Sequence, residues 1–200
     1  MNDLLIVEDD PALAAYLVAA LGKMGYAVRQ AGDRAGALVQ FAGSEPPGLV
    51  LLDLGLPPQP STMTEGLRLL DELLQIAPST KIIVLTGQDE NVAALEAVRR
   101  GAFDFLIKPV SRDVIQQALQ RAALFAREEN RMSQAGEARL SLTARFNEGP
   151  GEIAAAAEEQ LVRRVLGETG WNIAETARHL GLSRENVYYY LKKYGIQRPQ

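Results

Sequence analysis

The chain has 200 residues, 47% of them apolar, no cysteine and a formal net charge of −4. That apolar share supports a packed core and excludes global disorder. The lack of cysteine excludes a disulfide scaffold, thiol catalysis and a thiolate metal site. No apolar run approaches the ~18 residues of a membrane span, and Met1-Asn2-Asp3 lacks the basic stretch and apolar run of a signal peptide, so the expected location is the cytoplasm. The charge is uneven. Residues 1–130 carry 11 Lys+Arg against 17 Asp+Glu, whereas residues from Trp171 onward carry 5 against 2. Positive charge therefore collects at the C-terminal end, where a DNA-contacting surface needs it.

Short apolar runs recur along the first ~125 residues, a texture read as strands: Leu4–Val7, Ala27-Val28, Leu49–Leu52, Ile82–Leu85 and Phe105–Ile107. The first, third and fourth are continuous rather than alternating, as expected of parallel strands buried on both faces. Amphipathic stretches of helical length follow each run, at Pro11–Met24, Arg34–Ala42, Glu65–Ile76, Glu90–Arg100 and Arg112–Arg127. The alternation predicts an α/β domain over residues 1–127: a five-stranded parallel sheet with helices on both faces. Residues 128–151 are polar or mixed and read as a linker, with a helical start continuing the fifth helix; Leu140–Ala144 is a candidate short strand. Residues 152–200 read as a small all-α domain.

In an open α/β sheet the functional atoms sit beyond the carboxyl ends of the strands. The first run ends in Glu8-Asp9-Asp10, the third in Asp53 and the fourth in Thr86, and the fifth leads into Lys108-Pro109. With the first, third and fifth strands as central neighbours, these side chains converge. Carboxylates sharing one pocket repel unless a cation neutralises them, and a donor set of hard oxygens suits Mg²⁺. Phosphoryl transfer needs mainly positioning and charge neutralisation. Asp53 can then be the acceptor, Lys108 a second cation and Thr86 a hydrogen-bond donor. Asp10-Pro11 reads differently, as an N-cap followed by proline at the first helical position.

The segments Leu-Leu-Ile-Val-Glu-Asp-Asp, Leu-Leu-Asp-Leu-Gly-Leu-Pro, Val-Leu-Thr-Gly and Lys-Pro, in this order over residues 3 to ~125, resemble the receiver domain of two-component response regulators, with its flavodoxin-like, CheY-like fold. The resemblance implies that Asp53 takes phosphate from a histidine kinase. It implies that Asp9 ligates Mg²⁺ directly, that Glu8 holds it mostly through water, and that the backbone carbonyl of Gly55 completes the protein ligands. It makes Thr86 and Phe105 a switch pair, pairs Lys108 with the phosphoryl group and expects a cis Lys108-Pro109 bond. Phe105 also reads as a core aromatic; its place three residues before Lys108 favours the switch role, and Phe103 reads as packing. Two departures stand out. The loop Pro57–Gly66 is longer than in most receivers, which bring that glycine closer to the acceptor, and Gly87 stands where many receivers have alanine.

Further along, residues 152–168 are amphipathic, with Ile153, Leu161, Val165 and Leu166 on one side. Asn172 caps a helix over Ile173–Leu180, Gly181 makes the turn, and Ser183 caps a last helix over Arg184–Tyr194 ending at Gly195. These are the parts of a helix-turn-helix. Ala174, Ala177, Leu180, Leu182, Val187 and Leu191 belong inside. Arg184, Asn186, Tyr188, Tyr189, Lys192 and Lys193 are left exposed to meet double-stranded DNA, with Arg178 and the cap residues Asn172 and Ser183 beside them. Arg184 can reach guanine edges and Asn186 adenine; Arg178, Lys192 and Lys193 serve phosphates. Residues ~155–197 resemble the Fis-type helix-turn-helix found at the C-terminus of many regulators. That family builds a homodimer on its first helix, which makes Leu161 and Val165 candidate interface residues, and usually has basic residues where this chain has Tyr189 and Tyr190. His179, the only histidine, reads as a surface or cap residue, and Trp171 as core or interface.

Regulators with these two ends often carry an ATPase between them. No Gly-x-x-x-x-Gly-Lys-Ser/Thr occurs here, so the expectation is a protein that is not an enzyme and acts by binding, recruitment or occlusion, with RNA polymerase a further candidate partner. Two rivals from other classes are distinguishable. A signalling adaptor would use the C-terminal helices for protein contacts and show no salt-dependent DNA binding. An aspartyl-nucleophile phosphohydrolase needs a general acid nearby, commonly Asp-x-Asp, and the second residue after Asp53 is Gly55.

Overall fold

The computed structural model describes residues 2–42, 46–87, 91–140, 142 and 149–198. The candidate strand at 140–144 falls largely outside them. The chain divides into two compact units, one of Met1–Leu74 with Ser79–Glu128 and one of Gln75–Pro78 with Glu129–Gln200.

Strand and helix alternate from the N-terminus: β1 Asn2–Val7, α1 Pro11–Gly22, β2 Tyr26–Ala31, α2 Arg34–Phe41, β3 Leu49–Asp53, α3 Thr64–Ile76, β4 Lys81–Thr86, α4 Asn91–Arg99, β5 Asp104–Ile107 and α5 Arg112–Gln134. All four strand pairings are parallel, in the order β2-β1-β3-β4-β5. The sheet is thus of the predicted doubly covered type. Every residue of β3 and β4 is buried, which is why these two runs show no polar alternation.

One arrangement differs from the expectation. β5 is an edge strand beside β4, not a central neighbour of β3. Its half-buried residues follow from that position. Lys108 still comes to the centre because it lies past the strand: its N–H donates to the Thr86 carbonyl at 2.7 Å, and the four-carbon stem spans the remaining gap.

Local chemistry sets the element ends. The Asp10 carboxylate accepts from the N–H groups of Ala12 and Leu13, with Pro11 opening α1. Asp33 caps α2 through the Gly36 N–H. α5 continues into the connecting segment, as expected, and runs to Gln134. Past Arg127 its residues include Glu, Arg, Met and Gln, which hold a helix by propensity without an apolar stripe to mark it. In the loop after β3, the Pro57-Pro58 bond is cis, as is Lys108-Pro109. Residues Pro60–Thr62 form a single 3-10 turn. Arg34 closes the far side of this loop, meeting Glu65 at 2.8 Å and Glu72 at 2.9 Å.

The second unit holds α6 Pro150–Glu168, α7 Ile173–Leu180 and α8 Arg184–Lys193. α6 begins two residues earlier than the apolar pattern suggests, with Gly149 at its N-cap position and Pro150 at the first helical position. Asn172 caps α7 and Ser183 caps α8 by accepting backbone N–H bonds, and Gly181 turns between them at φ 64°. Val162, Leu166 and Ile196 form the core, with Trp171, Leu180, Tyr190, Leu191 and Tyr194 against it. Trp171 itself adopts φ 65°, a conformation non-glycine residues rarely take, with its half-buried side chain packed against that core.

Gly66 opens α3 against the backbone of Leu54. A Cβ there would lie 2.8 Å from the Leu54 carbonyl carbon and closer still to its Cα and oxygen. Backbone cannot yield as a flexible side chain does. Gly66→Ala is therefore expected to destabilise the first unit by about 2–3 kcal/mol, read from the urea midpoint by far-ultraviolet circular dichroism. A shift below about 0.5 kcal/mol, the usual size for a neutral surface change, would contradict the packing described.

Candidate functional site

β1 and β3 are hydrogen-bonded neighbours, with Val7 paired to Leu52. Their next residues, Glu8 and Asp53, therefore leave the sheet side by side. Glu8 is 2% exposed and Asp53 8%; Asp9 is exposed. One carboxylate oxygen from each of the three lies within 4.8 Å of the others. The Lys108 ammonium stands between the two buried acids, 2.9 Å from Glu8 Oε2 and 2.8 Å from Asp53 Oδ2. The Asp10 N–H donates to Glu8 Oε1 at 3.3 Å, and the Gly55 N–H to Asp53 Oδ1 at 3.2 Å.

Three carboxylates against one ammonium leave the hollow net negative. Burial pushes the Glu8 carboxyl above its ordinary range; the Asp53 charge adds to this and Lys108 works against it. For Lys108, burial favours the neutral amine, but its bonds to Asp53 and Glu8 prevail and raise its pKa. The pocket is thus built around opposed charges that stabilise one another, with room in its charge balance for a further cation.

Thr86 ends β4 and is 1% exposed. Its hydroxyl has no hydrogen-bond partner among the described residues. A buried hydroxyl without a partner is costly, and such atoms commonly mark a place where a ligand or water completes the bonding. Phe105 pairs with Val84 in the sheet register and is half-buried. Phe103 and Leu106 instead pack against the core cluster of Leu4, Ile6, Leu51 and Ile83; Phe103 also meets Phe125 edge-on.

On the second unit, Asn172, Arg178, Ser183, Arg184, Asn186, Tyr188, Tyr189, Lys192 and Lys193 are all exposed. The Asn172 and Ser183 side-chain oxygens are already used as caps. Lys193, grouped with Lys192 in the sequence, differs from it: Nζ is 2.8 Å from Glu158 Oε2 of α6. Glu158 and Tyr194, whose hydroxyl is 2.6 Å from the same oxygen, escape a reading from sequence because the partners lie 35 and 36 residues apart. Thr176 escapes it too: it is fully buried and shares a 2.7 Å hydrogen bond with Thr169.

A parallel five-stranded sheet with acids at the ends of β1 and β3, a buried threonine after β4 and a lysine after β5 defines a response regulator receiver, and the helix-turn-helix adds a DNA-binding class. The model of the response regulator receiver domain matches residues 4–120, and that of the Fis family of bacterial regulatory proteins matches residues 153–194. The chain belongs to the response regulator family, with a Fis-type helix-turn-helix domain. It is 30% identical over 192 residues to the photosynthetic apparatus regulatory protein RegA of Rhodovulum sulfidophilum, covering 95% of this chain and 91% of that protein. Against the nitrogen assimilation regulatory protein NtrX of Azorhizobium caulinodans it is 33% identical over 121 residues, which are 60% of this chain but only 26% of NtrX. The crystal structure of the NtrX receiver domain from Brucella abortus superposes with a TM-score of 0.55 at 32% identity, covering 60% of this chain and 97% of that one.

Replacing Lys108 by methionine keeps the stem and removes the charge that Glu8 and Asp53 share. With divalent ions chelated, Lys108→Met is expected to lower the unfolding free energy by roughly 1–3 kcal/mol, the cost of leaving charged groups without a bonded partner. Urea denaturation checks this; an unchanged or higher midpoint would show that the ammonium does not hold the carboxylates.

Proposed function

We propose that the chain is a phosphorylation-controlled transcription regulator whose phosphoacceptor is Asp53. The observation that carries this reading is the pairing of a lysine shared by two buried carboxylates with a buried, unpartnered threonine hydroxyl. Together they provide an acceptor oxygen, a cation and a donor for one incoming anion.

In the proposed step an Asp53 oxygen attacks the phosphorus of a phosphohistidine on a partner kinase. The new O–P bond forms as the P–N bond breaks, and the electron pair leaves on the imidazole nitrogen. The Gly55 N–H, 3.2 Å from Asp53 Oδ1, orients the nucleophile. Lys108 follows the charge from the carboxylate to the phosphoryl oxygens, and the Thr86 hydroxyl gains the partner it lacks. The donor set fits Mg²⁺: hard oxygens from Glu8, Asp9 and Asp53, with the Gly55 carbonyl as a further ligand. When bound, that ion supplies positive charge against the phosphoryl oxygens. Beyond accepting and slowly losing phosphate, the chain is not an enzyme in this reading.

Under this reading residues 1–127 are the receiver, 128–151 the connecting segment and 152–200 the DNA-binding domain. Phosphorylation shifts the receiver between two states, with Thr86 and Phe105 as the switch pair, and promotes a homodimer. Moving such a switch from 1:99 to 99:1 takes about 5.5 kcal/mol of differential stabilisation. A dimer places two α8 helices about 34 Å apart, one DNA turn. Arg184 and Asn186, at the N-terminal end of α8, read bases; Tyr188 and Tyr189 stand beside them, and Arg178 and Lys192 hold phosphates. Asn172 and Ser183 adjoin the DNA through the helix ends they cap. RNA polymerase is a candidate partner, and the reading places the chain in the cytoplasm.

With Mg²⁺ and a small-molecule phosphodonor such as acetyl phosphate, the wild-type chain is expected to gain one acid-stable, base-labile phosphoryl group. Asp53→Asn should gain none, and chelating Mg²⁺ should abolish the reaction. Intact-protein mass spectrometry reads all three; phosphorylation of the Asp53→Asn chain at wild-type extent would rule out the assignment.

For the DNA face, Arg184→Ala should cost about 1–3 kcal/mol at a preferred site and relax sequence preference, whereas Lys192→Met should weaken all sequences alike and reduce the salt slope by about 1. Fluorescence anisotropy at several salt concentrations separates the two patterns.

A further inference from the structure

We propose that Lys193 is a positioning residue that fixes the recognition helix on α6, not a phosphate contact; the inference rests on the DNA-binding reading above. Lys192 and Lys193 are adjacent and equally basic, yet their surroundings differ. Lys192 is exposed, with no ion pair among the described residues. Lys193, though exposed, is held by one carboxylate and three aromatic rings. Its ammonium lies 2.8 Å from Glu158 Oε2. It stands 4.8 Å from the Tyr194 ring centroid, 5.6 Å from that of Tyr190 and 5.9 Å from that of Tyr189. The Tyr194 hydroxyl donates to the same carboxylate oxygen at 2.6 Å. Tyr190 and Tyr194 stack 6.1 Å apart at 7° and pack against the core of Val162, Leu166 and Ile196.

An isolated exposed ion pair contributes little. Here one carboxylate of α6 binds both an ammonium of α8 and a phenol just beyond it, while the ammonium also rests over aromatic faces, an attraction of its own. The groups form a network that spans the joint between the two helices. The tilt of α8 on α6 decides how Arg184 and Asn186 enter a groove. A phosphate contact by Lys193 would, by contrast, first break the Glu158 pair. That exchange swaps one anion for another and strands a carboxylate near DNA, so it releases little net counterion. The tyrosines at 189 and 190, where Fis-type domains usually carry basic residues, thereby acquire a structural role, since their rings build the cation's seat.

The test uses the full-length chain and a fluorescein-labelled duplex selected with the wild-type protein from a random-sequence pool, titrated by anisotropy at several salt concentrations. Lys193→Met should weaken binding roughly threefold or more and leave the slope of log affinity against log salt at its wild-type value. Lys193→Arg, which keeps charge and ring contact, should restore affinity. Glu158→Gln should also weaken binding, although it removes a negative charge beside DNA. A Lys193→Met slope reduced by about 1, as for a phosphate contact, or tighter binding by Glu158→Gln, would overturn the inference. Should Lys193→Met fail to fold by circular dichroism, Glu158→Gln, which keeps the lysine and every ring, carries the test by the sign of its effect. If the wild-type chain shows no salt-dependent binding at all, the DNA reading itself falls and this inference with it; normal wild-type binding with the contrary variant pattern removes the inference alone.

Discussion

The structure depends on a conflict of charge at the carboxyl edge of the sheet. Parallel pairing of β1 with β3 delivers Glu8 and Asp53 to neighbouring positions out of bulk water. Two like charges so placed destabilise the fold unless something opposes them. Lys108 opposes them by bonding both, and it can do so only because the chain after β5 is tied back to the end of β4 through the Thr86 carbonyl. The sheet's topology and the lysine's reach are therefore one device. Its residual negative charge suits a metal cation, and its unpartnered threonine suits an anion brought in with that cation.

The second unit handles charge differently. Its acids and bases largely sit on helix surfaces, where water screens them. Among the described residues Glu129 and Arg164 are buried exceptions, 3.8 Å apart; Arg164 also bonds the Arg139 carbonyl at 2.9 Å and Glu168 at 3.0 Å. The exposed face of α8 carries Arg184, Asn186 and Lys192 without internal ion pairs to Asp or Glu among the described residues, while the equally exposed Lys193 is paired with Glu158 of α6. Two adjacent lysines thus play opposite parts, which net charge alone cannot distinguish.

Much of this was legible in the sequence for physical reasons. Continuous apolar runs mark β3 and β4 because both faces are covered, and Asp10-Pro11, Asn172, Gly181 and Ser183 announce helix ends through capping chemistry. The acids after β1 and β3 stand out because charge rarely follows a buried strand without a reason. What escaped was non-local. The edge position of β5 depends on crossover order, which no residue pattern encodes. The Glu158–Lys193–Tyr194 contact depends on helix packing across 35 residues. Likewise the alanine and leucine pattern that marks the inside of these helices carries no sign of the Thr169–Thr176 bond.

Glu8, Asp9 and Asp53 bring their carboxylate oxygens within 4.8 Å of one another, close enough to share one cation. A Mg²⁺ titration of isotopically labelled protein, followed by amide chemical shifts, reads whether they do. Saturable shifts that converge on Glu8–Asp10, Asp53–Gly55, Thr86 and Lys108 and reverse on chelation are expected. Shifts scattered over the acidic surface without saturation, or none at this edge of the sheet, would contradict that sharing.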